Sequence, residues 1–126
     1  MESKKLARLC KELAENKKAE DIVILDIQKL TSIADYFVIM SGTSEPHVRA
    51  IVDEIVDKLK TDYQLRPRAI DGIPGSPWVV LDYDEVIVHV AKPEIRKYYD
   101  LEGLWSDAKR LRTRRSRKTK AVIPDS

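Results

Sequence analysis

The run WVVLDYDEVIVHVA, Trp78 to Ala91, constrains the fold of this chain more than any other segment. Two stretches of β-branched, aromatic and aliphatic residues flank the pair Asp84-Glu85, the length of a two-residue hairpin turn, so residues 78–83 and 86–91 are predicted to pair antiparallel. Side chains alternate across a strand, which places Trp78, Val80 and Asp82 on one face and Val79, Leu81 and Tyr83 on the other. In the second strand Val86, Val88 and Val90 share a face, and His89 sits with Ile87 and Ala91. Both faces of the first strand are largely apolar, so the hairpin belongs well inside a sheet.

Elsewhere, Leu6, Leu9, Cys10, Leu13 and Ala14 recur at helical spacing and predict an amphipathic helix over residues 3–16. Residues 21–27, DIVILDI, are too short and too β-branched for a good helix and read as a strand. A second apolar run, Tyr36 to Met40, is broken by Gly42-Thr43-Ser44. Ser44 can cap a helix whose early turn tolerates Pro46, and Val48, Ile51, Val52, Ile55, Val56 and Leu59 lay one apolar stripe along it. Residues 66–71 predict a short edge strand, since Pro67 lacks the donor a central position needs. Pro93 and Glu94 open a final helix, with Ile95, Tyr98 or Tyr99, Leu101 or Glu102, and Trp105 following. The expected class is α+β: a single domain with a mixed sheet of about five strands and packed helices.

At 126 residues the chain has room for one full core. Its net charge of +2 conceals an asymmetry: residues 109–120, KRLRTRRSRKTK, hold eight of the 23 basic residues and no acid, while residues 1–108 hold 15 basic against 20 acidic, a charge of −5. The expected organisation is therefore a domain over residues 1–108 and a flexible basic tail over 109–126. Arg110, Arg112, Arg114, Arg115 and Arg117 are candidates for neutralising RNA phosphates, against the plainer reading of a solubilising tail. No stretch has the length of a membrane helix, the N-terminus carries no apolar signal core, and the single cysteine, Cys10, permits no internal disulfide. A soluble protein of the cytoplasm is expected.

Two kinds of function compete. Asp82 and Asp84, two apart on a strand, can share a cation, and with Gly42-Thr43-Ser44 before a helix they resemble the loop and paired carboxylates of magnesium-dependent nucleotidyltransferases. Against this, carboxylates at the mouth of a hairpin ordinarily serve the turn, no third carboxylate is placed, and no Lys stands in phosphate-loop spacing. His89 among apolar neighbours and His47 beside the stripe read as packing or hydrogen-bonded histidines, and Cys10 as a small buried hydrophobe. The other reading is a recognition surface made by the acidic turn and the aromatics Trp78, Tyr83, Tyr98 and Tyr99, with no catalytic residue, cofactor or metal.

The segments DIVILDIQKLTSIADYFVIMSGTSEPHVRAI, DGIPGSPWVVLDYDEVIVHV and EIRKYYDLEGLW, in that order, resemble the ribosomal silencing factor family, also called Iojap-like proteins. The resemblance implies a nucleotidyltransferase-like fold without the activity. It further implies a translational repressor that binds the large ribosomal subunit through its fourteenth protein and blocks joining of the small subunit when nutrients are scarce. Carried over by position, it implies Trp78, Asp82, Tyr83, Arg96 and Tyr98 as partner-binding residues, with Asp84 and Glu85 adding acidity to the same surface. It also implies that the free factor can form a homodimer. The chain departs from the family pattern at Asp84, where the turn usually has glycine, and at Pro46, where the helix usually has arginine.

Overall fold

The computed structural model describes residues 1–72, 75–103 and 108–110. In chain order the elements are α1 (Ser3–Glu15), β1 (Glu20–Asp26), β2 (Tyr36–Ser41), α2 (Glu45–Tyr63), β3 (Ala69–Asp71), β4 (Trp78–Asp82), β5 (Val86–Ala91), α3 (Pro93–Tyr98) and β6 (Lys109–Arg110). The described strands form one mixed sheet in the order β3-β4-β5-β2-β1-β6, in which β2 and β5 pair parallel and the other neighbours antiparallel. The α+β class and the mixed sheet agree with the sequence, and a two-residue sixth strand joins the expected five.

The hairpin forms in the expected register, with Trp78 opposite Ala91 and Asp82 opposite Ile87. All six residues of β2 are buried, as a central strand covered on both sides requires. One face, carrying Val38, Met40, Leu81, Val88 and Val90, packs against Leu6, Cys10 and Leu13 of α1 and Val48, Ile51, Ile55 and Leu59 of α2. Burial pushes the Cys10 thiol up to about 12, so it remains an inert core group. The other face is thinner. Leu25, Phe37, Ile39 and Ala91 meet Ile27 and Ala34 of the β1–β2 loop, Leu101, and the short α3 through Ile95.

At the corner from β2 into α2, a side chain on Gly42 would stand 2.9 Å from the Val48 backbone nitrogen, so only glycine lets the chain turn this tightly. Ser44 caps α2 by accepting from the His47 amide at 3.2 Å, and Pro46 sits in the first turn, where its missing donor leaves no helical bond unmade. The chain's Pro46 is thus accommodated without distortion. Two expectations change. The final helix stops at Tyr98 instead of running towards Trp105, because Asp100 takes a left-handed conformation (φ 48°) that no α-helix propagates. Lys109 and Arg110, expected to begin the tail, pair with Asp26 and Leu25 of β1. Trp105 and the tail beyond Arg110 lie outside the described residues.

Candidate functional site

The face of the hairpin turned away from α1 and α2 carries a row of aromatic rings. Phe37 of β2 meets His89 of β5 edge-on, with centroids 5.3 Å apart. Trp78 lies diagonally across the β4–β5 pair from His89, its centroid 6.2 Å away, and its indole N–H donates to His89 Nδ1 at 3.3 Å. Tyr99 follows at 5.3 Å from Trp78, and Tyr98 packs on Tyr99 at 4.8 Å in a T-shaped pair. The row runs from the core to solvent, from Phe37 at 8% exposed to Tyr99 at 52% and Tyr98 at 80%. Burial pushes the His89 imidazole down to about 4, so at neutral pH it is uncharged and its Nδ1 is free to accept.

The backbone that presents Trp78 is pinned. Ser76 Oγ donates to the Trp78 carbonyl at 2.8 Å and accepts from its amide at 3.2 Å, and the Lys92 amide donates to the Pro77 carbonyl at 2.9 Å. These bonds join the strand entry to the start of α3.

The acidic tip is ordered as tightly. Asp82 Oδ1 accepts from the Asp84 amide at 2.8 Å, and the Glu85 carbonyl accepts from the amides of Asp35 and Tyr36. Asp84 adopts φ 75°, the left-handed conformation that glycine enters freely, which accounts for the family's glycine there and for the use of Asp, a residue that tolerates it. Arg68, just before β3, donates to Asp82 Oδ2 at 2.8 Å and sits 3.4 Å from Asp84 Oδ1. Burial raises the Asp82 carboxyl, but the Asp84 amide and the Arg68 guanidinium outweigh it and hold the group below its ordinary range.

Not all the residues expected at one surface share it. Trp78 and Asp82 lie on the same face but at opposite ends of β4, roughly 13 Å apart at 3.3 Å per residue. Tyr98, Asp84 and Glu85 are exposed at those two ends. Tyr83 points the other way: it is 6% exposed in the core beneath the helices, so a partner cannot reach it. Its hydroxyl has no hydrogen-bond partner among the described residues. Tyr83→Phe is therefore expected to leave stability unchanged or to raise it by up to about 1 kcal/mol in urea unfolding.

Arg96 is also withdrawn from the surface. At 8% exposed it donates from Nη1 to the Asp21 carbonyl at 2.8 Å and to Ser41 Oγ at 2.9 Å, and its Nε and Nη2 engage Glu102 at 3.3 and 3.0 Å. It holds α3, and with it Tyr98 and Tyr99, against the ends of β1 and β2. Arg110 stands exposed in β6, 3.7 Å from the same Glu102, while Arg112, Arg114, Arg115 and Arg117 lie outside the described residues. Arg68 and the hydrogen bond between Trp78 and His89 escaped the sequence reading. The hairpin register could have paired Trp78 with His89, but nothing local announces the Arg68 ion pairs.

The carboxylates and the Gly42-Thr43-Ser44 loop do not converge. Ser41 is level with Ala91, and Asp82 with Ile87, so roughly 13 Å of strand separates them. The loop's groups also serve locally: the Thr43 amide donates to His47 Nδ1 at 2.8 Å, and His47 Nε2 lies 2.7 Å from the Lys17 carbonyl. Among the described residues no three His, Cys, Asp or Glu side chains come together as a metal site would require.

These features define a one-domain α+β protein with a row of aromatic rings along one sheet face and an acidic turn at the hairpin tip. A model of the family described as "Ribosomal silencing factor during starvation" matches residues 1–125, and the chain belongs to this family. It is 36% identical over 108 residues to ribosomal silencing factor RsfS of Bacillus subtilis, spanning 86% of this chain and 91% of that one. It is 32% identical over 99 residues to the mouse protein named mitochondrial assembly of ribosomal large subunit protein 1, spanning 75% of this chain and 42% of that one. The fold matches the crystal structure of a Chromobacterium violaceum protein with a TM-score of 0.80 at 33% identity, over 92% of each chain.

Proposed function

We propose that this chain is a non-enzymatic repressor that binds the large ribosomal subunit through its fourteenth protein and sterically blocks the small subunit when nutrients are scarce. The observation that carries the reading is the row Trp78, Tyr99 and Tyr98. Large rings pinned from behind by backbone bonds bury area on a partner at low cost in ordering. Family membership and the large-subunit name of the mouse relative support the choice of partner. The exposed Asp84 and Glu85 suit a basic protein, speeding encounter and rejecting acidic surfaces.

The test is to sediment mixed ribosomal subunits with and without the protein. The expected result is co-migration with the large subunit and loss of joined ribosomes. Trp78→Ala should weaken binding by about 2 kcal/mol, some thirtyfold, with the fold intact by circular dichroism. An unchanged affinity would remove Trp78 from the interface. Magnesium-dependent nucleotide turnover that disappears in Asp82→Asn would favour the enzyme instead.

The basic tail adds contact to ribosomal RNA in this reading. Because Lys109 and Arg110 belong to the sheet, the informative truncation removes residues 111–126 only. It should lower affinity and flatten its salt dependence by roughly 0.7–0.9 log units for each phosphate no longer neutralised. Identical salt slopes with and without the tail would argue against the RNA interaction.

A further inference from the structure

We infer that His89 is a positioning residue for the docking face, fixing the Trp78 indole in its partner-ready orientation by accepting its N–H at Nδ1. This rests on the docking reading above and extends it to a residue that touches no partner itself. Three observations meet at this side chain. Trp78 begins its strand half-buried at the margin of the thinner core, and among the described residues its close ring neighbours are Tyr99 and His89. His89 supplies the acceptor for the indole's one donor, 3.3 Å away across the strand pair. Phe37, edge-on at 5.3 Å, holds the imidazole plane from the buried side, so the acceptor is itself fixed.

A valine or isoleucine at position 89 would suit the strand and the core equally well but would offer the indole nothing to donate to. Histidine is useful here because, uncharged, it keeps one ring nitrogen bare; donation from Trp78 assigns the remaining proton to Nε2. An indole held in place before binding loses less entropy on docking than one that must be ordered by the partner.

The test compares wild type, His89→Phe and His89→Asn in the full chain. Phe keeps an aromatic ring but has no acceptor, whereas Asn places its side-chain oxygen close to the Nδ1 position. The first readout needs no partner: hydrogen exchange of the Trp78 indole N–H by NMR, its signal assigned with Trp78→Phe. Protection is expected in wild type, absent in His89→Phe and at least partly restored in His89→Asn. The second readout is affinity for isolated large ribosomal subunits. His89→Phe should weaken it about five- to tenfold, the worth of one hydrogen bond, and His89→Asn should recover most of that. Adding His89→Phe to Trp78→Ala should cost nothing more, since the first acts through the second.

Indole protection that survives His89→Phe would overturn the hydrogen bond. Affinity decreases that add in the double variant would overturn the positioning role. If Trp78→Ala binds subunits as tightly as wild type, the docking reading itself falls, and the exchange data alone then decide whether His89 holds the indole.

Discussion

Arg96→Met is expected to lower the stability of the fold by about 3–5 kcal/mol, a fall of at least ~10 °C in the melting midpoint. The guanidinium ties together four groups from three separate stretches of chain: the Asp21 carbonyl, Ser41 Oγ and both carboxylate oxygens of Glu102. Methionine fills much of the same volume but leaves the buried Ser41 hydroxyl and the Asp21 carbonyl without their donor, and removing one partner of a buried pair costs more than a bond never made. Among the described residues Glu102 then keeps only Arg110, at 3.7 Å. Arg96→Lys should fall between the two, since an ammonium keeps the charge without the planar fork that serves several acceptors at once. Urea unfolding of the three proteins measures the order. A decrease below about 1 kcal/mol for Arg96→Met would mean that α3 is held by Ile95 and Leu101 alone. Because α3 carries Tyr98 towards Tyr99 and Trp78, the proposed docking function implies that the same variant also weakens subunit binding although Arg96 is not on the surface.

Acidification from pH 7 to pH 4 is expected to remove about 3 kcal/mol of stability through His89 alone. The folded imidazole is pushed down to about 4 by burial, against an ordinary value of 6.5. Between those two values the unfolded chain takes up a proton that the folded chain refuses, so protonation favours unfolding. The contribution is complete above about pH 6.5 and is lost as the pH falls towards 4. Asp82 acts in a separate window: its carboxyl is held below the ordinary 3.8, so its contribution disappears only at more acid pH. Urea midpoints at half-unit steps should therefore slope between pH 6.5 and 4 in wild type and run much flatter in His89→Phe. Equal slopes would show that His89 takes its proton in the folded protein as readily as in the unfolded one.

The structure separates what local pattern can reveal from what it cannot. Period-two alternation placed Tyr83 on the face opposite Trp78, which is correct. It could not say which face meets solvent, because both are apolar and the choice depends on where α1 and α2 pack. The recognition surface expected from the sequence therefore included a core residue. The left-handed conformation of Asp84 came from the structure; its departure from the family's glycine was legible. Arg68 was not, because its partners lie 14 and 16 positions away and meet it only once β3 pairs with β4. The acidic tip looked like free negative charge and carries a bound arginine.

By itself the sequence determined the hairpin and its register, the long amphipathic α2 with its Ser44 cap, the apolar run of β2 and the basic end of the chain. All of these follow from propensity, periodicity and charge within single local segments of the chain. Only the tertiary structure decided that Arg96 is an internal clamp, that Tyr83 is core, and that Trp78, His89 and Tyr99 form one row. Those facts depend on which segments the sheet order brings side by side. The Asp21 carbonyl and Arg96 are 75 positions apart in the chain and 2.8 Å apart in the fold, a proximity that no local pattern encodes.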